Sequence, residues 1–599
     1  MPQFEFDGQL IETKPGKTII EAAYDNGLAV PHFCWHPELS VAGNCRMCLV
    51  QVGMPAKDRE GNFETDDSGN KKINFIPKMQ IACATPVQDG MVVKSLSDEA
   101  VESQEAVMEF LLINHPLDCP ICDEAGECKL QEYSFKHSKG KSRFEEEKNH
   151  KPKRQVWGPN VVFDAERCIS CSRCIRFAKE VAEQDVLTFV QRGDHVTIEL
   201  FDGTVFDNPY SMNVIDICPV GALTSPDFRF ESRVWEMSSN DSISQFDGTG
   251  TNITIGVRNN EIMRLTPRTN MHVNNHWMRD DARLSYDFVN KNRVVKPLIN
   301  YDGVQEEVEW DEAVAEVTSR LNNFRKDQIV YVASSRATNE DNYLFGKFAK
   351  EISDTDNIVY FSHTDELRKD DLLGVTDLTP NTKGLEALEV TKDSKIKADD
   401  LLEKLKSGQI RAMYVMEEDF EDYPEILENL DKLSVLIVHS YNTNKTIVKK
   451  AEIVLPTSTF AEIEGTYTNL EGRVQHLTPA LVTKENLRFM GMKMSRLDKF
   501  GADNDRWTQH EVRDTKQSWK ILQKLAQSMG AKWNYKNSSQ VFDEIVENNE
   551  LFSDMNYKKL DEYQGLNLGK GNNPDKKEVN YISHYLKPQQ TQKVVKYNG

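Results

Sequence analysis

The sequence predicts a multidomain chain of α+β and α/β parts, with small modules first and a doubly wound α/β domain behind them. Three observations carry this. At 599 residues the chain is too long for one hydrophobic core, so about three to five domains are expected. All eleven cysteines lie before residue 219, and with one histidine they fall into three sets of four: Cys34, Cys45, Cys48, Cys83; then His115, Cys119, Cys122, Cys128; then Cys168, Cys171, Cys174, Cys218. Beyond residue 291, strand-like runs alternate with helix-like runs.

Composition bounds the function. The chain is 39% hydrophobic and 28% charged, ordinary for a globular protein. A formal net charge of −22 argues against nucleic-acid binding, which needs a basic surface. There is no apolar run of the ~18 residues a membrane span needs. Met1 to Phe6 already reads as a strand and carries no signal-peptide or presequence pattern, so a cytosolic location is expected. An odd cysteine count with C-x-x-C spacings reads as metal ligation rather than disulfides.

In residues 1–98, Phe4 to Glu12 reads as strand, Gly8 turn and strand, and Thr18 to Tyr24 as a short helix ending near Gly27. Cys34 follows, then Gly43-Asn44-Cys45-Arg46-Met47-Cys48, a strand from Leu49 to Val52, and Cys83. Two close ligands on a glycine-containing loop, with outer ligands on either side, suit a 2Fe–2S cluster in a ferredoxin-type β-grasp domain. The ten-residue gap after Cys34 is wider than the plant-type four. Structural zinc is the alternative. Asp58 to Lys72 reads as an inserted surface loop.

In residues 99–140, a helix over Asp98 to Asn114 is expected to carry Val107, Phe110 and Leu111 on one face, ending at Pro116. His115-x3-Cys119-x2-Cys122-x5-Cys128 then packs four donors into fourteen residues. Three cysteines lack a fourth ligand and His115 is the nearest candidate. A 4Fe–4S cluster and a Cys3His zinc site both fit the spacing; a zinc site between two redox clusters could not relay electrons.

Residues 141–232 open with a charged linker running from Ser138 to Gln155. A two-cluster bacterial ferredoxin runs C-x2-C-x2-C-x3-C-P twice, and each fourth cysteine serves the other cluster. Here Cys168, Cys171 and Cys174 are followed by Ala178 where the fourth cysteine would stand. The second run ends at Cys218-Pro219 but has Asn208, Ser211 and Val214 where its cysteines would be. One cluster keeps all its ligands, with Cys218 reaching across, and the other has lost all of its own.

These three sets in this order resemble the large iron–sulfur subunit (75 kDa type) of respiratory NADH:quinone oxidoreductase, complex I. The resemblance is close to about residue 290 and looser beyond. It implies one 2Fe–2S cluster on the first set, a 4Fe–4S cluster with the rare His plus three Cys ligation on the second, and an all-cysteine 4Fe–4S cluster on the third. It implies that electrons arrive from a flavin subunit that oxidises NADH, pass the 2Fe–2S, the all-cysteine and then the His-ligated cluster, and leave toward quinone-side iron–sulfur subunits. The location it implies is the cytoplasmic face of a bacterial inner membrane, bound through the complex.

Some members carry a further 4Fe–4S cluster just after residue 235. Here 233–290, including Met237 to Ile253 and Asn274 to Asp280, looks like that segment with every cysteine gone, so no fourth cluster is expected. Residues 291–490 resemble a cut-down molybdopterin-oxidoreductase domain without cofactor. Strands are expected at Ile329–Ala333, Ile358–Phe361, Met413–Met416, Val435–His439 and Ile453–Leu455, and helices at Asn339–Ile352, Leu401–Ser407 and after Pro424. Phe460 to Gln475 looks like a superfamily segment and reads more simply as a glycine-containing turn. No G-x-G-x-x-G follows the strand from Ile329, which argues against a dinucleotide site. Residues 491–599 read as a charged C-terminal region, with an extended tail from Gly565 that either wraps a partner or is merely flexible. An iron-only hydrogenase would need four cysteines after Cys218, and a formate dehydrogenase a full molybdopterin domain with a metal-ligating cysteine. A small free-standing electron carrier would not need the ~370 residues that follow the last set.

Overall fold

The computed structural model describes residues 1–65, 69–138, 140–486 and 512–569. The chain divides into two compact units, 1–236 with 580–599, and 237–579.

The first unit begins with a mixed sheet in the order 9–12, 3–6, 92–94, 49–55, 73–75, with 80–81 pairing onto 49–50. Strands 3–6 and 92–94 run parallel, and the remaining pairs are antiparallel. Asp7 (φ 46°) and Gly8 (φ 83°) make the two-residue turn with both φ positive that matches strand twist. Helix Ile19–Asp25 starts at Thr18, whose backbone N–H donates to Glu21 at 2.7 Å while Glu21 N–H donates back to the Thr18 hydroxyl. Its Ile19, Ile20, Ala22 and Ala23 pack with Phe4, Val50, Val93, Cys48 and Cys83 in one core. The expected insertion within 58–72 is largely exposed where it is described.

Helix Asp98–Leu112 ends before His115, and its buried residues are Ala100, Gln104 and Met108, not the expected Val107 face. Phe110 is 75% exposed. Counting apolar residues misses this because Gln104 is buried for its hydrogen bonds: its amide donates to Leu49 O and Ser95 O. Helix Lys129–His137 packs on it. The third part is a sheet of strands 155–156, 162–163 and 223–224, a hairpin 187–190/197–200, and helices Arg173–Glu180 and Asn213–Ile217.

The second unit opens with an antiparallel three-stranded sheet, 238–243, 252–258 and 261–267. Its main sheet has seven strands in the order 304–307, 298–301, 453–456, 435–440, 412–416, 329–332, 358–359. The last five are the expected parallel set. The hairpin 298–301/304–307 adds an antiparallel edge. Alternate residues face two separate cores. Tyr331, Tyr414 and Ile437 meet Phe345 and Phe348, while Val330, Val332, Met413 and Val438 meet Leu401, Leu405 and Ile426. The helix expected over 339–352 is α-helical to Lys347 and then takes a π turn, Phe348–Ile352.

The region 491–599 differs from its reading as a charged extension. Residues 512–569 hold helices Ser518–Ser528, Ser538–Asn548 and Tyr557–Glu562. Trp519, Ile521, Leu522 and Leu525 are fully buried in the same core as Tyr331. The charge count hid them because Lys520, Gln523, Lys524 and Gln527 cover the other face of that helix. The tail expected from Gly565 begins with strand 566–567 paired onto 473–474, and 570–599 lie outside the described residues.

Candidate metal centres

All three sets of four lie in the first unit. In the first, Cys34, Cys48 and Cys83 are buried and Cys45 is partly so. Gly43 (φ 62°) and Arg46 (φ 60°) take left-handed conformations that turn the loop around Cys45. Cys34 N–H donates to Cys45 Sγ at 3.5 Å. The thiols touch one another. Those of Cys45 and Cys83 hydrogen-bond Cys34, and Cys83 also bonds Cys48, which pulls Cys34 and Cys48 down and pushes Cys45 and Cys83 up.

In the second set, Cys122 and Cys128 are buried, and Cys119 begins a short 3-10 turn to Ile121. Burial pushes Cys122 up to about 11 and Cys128 up to about 12. Burial also brings His115 down to about 4, so its imidazole is neutral at pH 7, as a metal ligand must be. His115 Nδ1 is buried with no hydrogen-bond partner.

The third set lines an open space of about 320 Å³ walled by Phe163, Ile198, Val220 and Leu223. Ser170 (φ 54°) and Ser172 (φ 63°) sit left-handed between the cysteines, and Ser170 N–H donates to Cys168 Sγ at 3.3 Å. Alternating conformations of this kind turn backbone N–H groups toward an anion. Burial pushes Cys168 up to about 12 and raises Cys171, Cys174 and Cys218. The vacated half of the ferredoxin pattern is packed shut: Ala178, Ser211 and Val214 are fully buried, and Asn208 donates to Ala182 O at 2.8 Å.

The donor chemistry fits iron–sulfur clusters. Buried thiols resist ionising by themselves, and a cation between them removes that penalty. Among the described residues no three His, Cys, Asp or Glu side chains close on a single-ion site. Four thiolates on one zinc would stand within about 4 Å of each other, and the third set surrounds a wider space.

The third set touches both others. Toward the second, Pro219 O accepts from Lys129 N–H at 3.1 Å and from the Cys128 thiol at 3.9 Å. Arg167 pairs with Asp118 at 2.8 Å. A Cβ on Gly221 would stand 2.3 Å from Cys122 Sγ and 3.0 Å from Glu124 Cβ. Toward the first, Arg173 and Arg176 reach the carbonyls of Trp35 and Cys34, both at 2.5 Å. Sequence reasoning passed over Arg167, Arg173, Arg176 and Gly221. A faint signal was present, since Arg173 and Arg176 lie three apart on a helix with Phe177 and Ala178 buried beside them. Gly221→Ala is expected to displace Cys122 and lower the iron bound by the second set. Iron analysis of the purified variant against wild type checks this, and unchanged iron would refute the close packing.

Among the described residues no helix is long and apolar enough to cross a membrane. Five family models match: a 2Fe-2S iron-sulfur cluster binding domain over 2–98, the NADH-ubiquinone oxidoreductase-G iron-sulfur binding region over 104–143, the ferredoxin-like domain of NADH-quinone oxidoreductase subunit 3 over 158–224, an NDSU1/NuoG-like 4Fe-4S domain over 237–287, and molybdopterin oxidoreductase over 378–488. The G-type NADH-quinone oxidoreductase subunit of Rickettsia conorii is 39% identical over 340 residues, 57% of this chain and 47% of the relative. The NADH-ubiquinone oxidoreductase 75 kDa subunit of Reclinomonas americana is 39% identical over 347 residues, 58% of this chain and 47% of the relative. The chain thus spans about half the length of the curated relatives it matches. A chain of an NAD+-reducing [NiFe]-hydrogenase crystal structure in the H2-reduced state aligns with TM-score 0.32 and 28% identity, over 39% of this chain and 91% of that one. The resemblance read from the twelve donors is borne out: the chain is a homologue of the large iron–sulfur subunit of NADH-quinone oxidoreductase.

Proposed function

We propose that this chain is the electron-relay subunit of an NADH:quinone oxidoreductase, carrying electrons from a flavin-bearing, NADH-oxidising partner through one 2Fe–2S and two 4Fe–4S clusters toward quinone-side iron–sulfur subunits. Cys34, Cys45, Cys48 and Cys83 would hold the 2Fe–2S cluster. His115, Cys119, Cys122 and Cys128 would hold one 4Fe–4S cluster, and Cys168, Cys171, Cys174 and Cys218 the other. The observation that carries this reading is the middle position of the third set, in contact with the Cys34 segment on one side and with Cys122 and Cys128 on the other.

When bound, the clusters supply reversible one-electron acceptors. The residues of the chain orient the ligands, keep water away and offer N–H groups to sulfur, as Ser170 does to Cys168. The parallel sheet of 291–490 serves as a docking scaffold without molybdopterin, and the membrane is reached through partners at its cytoplasmic face. The domains run 1–98, 99–140, 141–232, 233–290, 291–490 and 491–599, with the last sharing the core of the one before it.

The test is elemental analysis of the anaerobically purified chain. Three clusters give about ten irons and about ten acid-labile sulfides per chain, with no zinc or molybdenum. About six irons with one zinc would make the His115 set structural and break the relay. Stoichiometric molybdenum would favour a formate-type oxidoreductase.

A further inference from the structure

Between the first and third donor sets lies a seam built on helix Arg173–Glu180, which starts one residue before the last of the three closely spaced cysteines. Two arginines on it are buried, Arg173 at 2% and Arg176 at 9% exposure. Arg173 donates one terminal nitrogen to Ile217 O at 2.8 Å, next to Cys218, and the other to Trp35 O at 2.5 Å, next to Cys34. Arg176 donates to Ser40 O, to Cys34 O at 2.5 Å and to Cys171 O at 3.5 Å, while its Nε donates to the Ser172 hydroxyl at 3.2 Å. No carboxylate pairs with either guanidinium in these bonds. Their partners are backbone carbonyls and one hydroxyl, so neither positive charge meets a counter-charge there. At the edge of the seam Glu180 accepts from Ser40 N–H at 2.8 Å and from its hydroxyl, and Asn44 donates to Ser170 O at 3.1 Å.

Burying two cations on neutral acceptors is costly unless an anion lies close by. Thiolate-ligated clusters in the first and third sets are such anions, one on each side. We infer that Arg173 and Arg176 are positioning residues shared by the two centres: they clamp the Cys34 segment against the Cys171 and Cys218 segments, and their charge raises the electron affinity of both. Reduction adds a negative charge to a cluster, and a fixed cation nearby favours that state. The inference rests on the cluster assignment proposed above.

The experiment is a redox titration of the anaerobic full chain, read by electron paramagnetic resonance with iron counted in parallel. Arg176→Gln and Arg173→Gln, each with about ten irons retained, should lower the midpoints of the first-set and third-set clusters together. The expected size is about tenfold in the reduced-to-oxidised ratio at fixed ambient potential, ~59 mV for a one-electron couple. The His115-set cluster is the internal reference and should not move. Arg176→Lys keeps the charge and should hold both midpoints near wild type. Unchanged midpoints in either iron-replete glutamine variant, or a shift in one centre alone, overturn the inference. If the glutamine variants lose iron, loss from the first and third sets together with the second retained supports the clamp, and any other pattern of loss overturns it. A lowered midpoint in Arg176→Lys also overturns the charge assignment. A wild-type chain without clusters would instead sink the cluster assignment itself.

Discussion

Replacing Cys218 by alanine is expected to remove about four of about ten irons and to stop electron transfer from NADH to quinone in the assembled complex. Cys218 lies 44 residues beyond Cys174 yet lines the same space. Alanine offers no sulfur, and the other three thiols are too deeply buried to ionise without a complete cluster. The neighbouring centres should stay. The first set is held in its own sheet core, and the second keeps its four donors. The measurement pairs iron content with the rate of NADH oxidation by an artificial acceptor and by quinone. The artificial-acceptor rate should persist and the quinone rate should fall to background. A variant with about ten irons and an undiminished quinone rate would refute the assignment of Cys218.

The second large effect lies in the other unit. Glu462, with its side chain 0% exposed, pairs with Arg293 at 2.8 Å and Arg513 at 3.0 Å and accepts from Thr459 N–H at 2.8 Å. Burial alone would raise this carboxyl, but the two guanidiniums overcome it and hold it down at about 2. Against an ordinary value near 4.5 the shift is worth about 3 kcal/mol of stability. The sign follows from the folded value lying below the unfolded one. The contribution is full above about 4.5 and is lost as pH falls through about 2. Glu462→Gln leaves both guanidiniums without their counter-charge and is expected to cost about 3–5 kcal/mol. Amide exchange of strand 453–456, which ends six residues earlier, should quicken by about a hundredfold or more at pH 7. The wild type should lose protection between about pH 4.5 and about pH 2, and the variant should lack that dependence. Equal exchange in the two proteins at pH 7 would refute the role of the triad.

The site was more legible in the sequence than the packing around it. Cysteine spacing is a local code, because ligands of one cluster must sit on short loops, and Cys218-Pro219 announced itself through the ferredoxin cross-ligation pattern. The five parallel strands were legible because both of their faces are buried, so they read as unbroken apolar runs. The hairpin 298–307 was not, since Gln305, Glu306 and Glu307 give its outer strand a loop-like composition. Helix Ser518–Ser528 was lost for a similar reason: a strongly polar outer face masks Trp519, Leu522 and Leu525 when residues are averaged rather than placed around a helix. The buried arginines escaped because a charged side chain is ordinarily read as surface, and burial on distant backbone carbonyls leaves no mark in sequence.

The contact of Pro219 and Gly221 with the Cys119–Cys128 segment also orders events during synthesis. Cys128 emerges from the ribosome more than ninety residues ahead of Gly221. Until 221 has emerged, the hollow around Cys122 and Cys128 lacks one of its walls, and Lys129 N–H lacks its acceptor on Pro219. The second centre therefore cannot be sealed before the last ligand of the third has been made. A ribosome stalled anywhere between 130 and 218 would present a nascent chain whose first centre can mature while the other two wait, so this stretch of translation is the interval in which iron delivery and chain growth must keep pace.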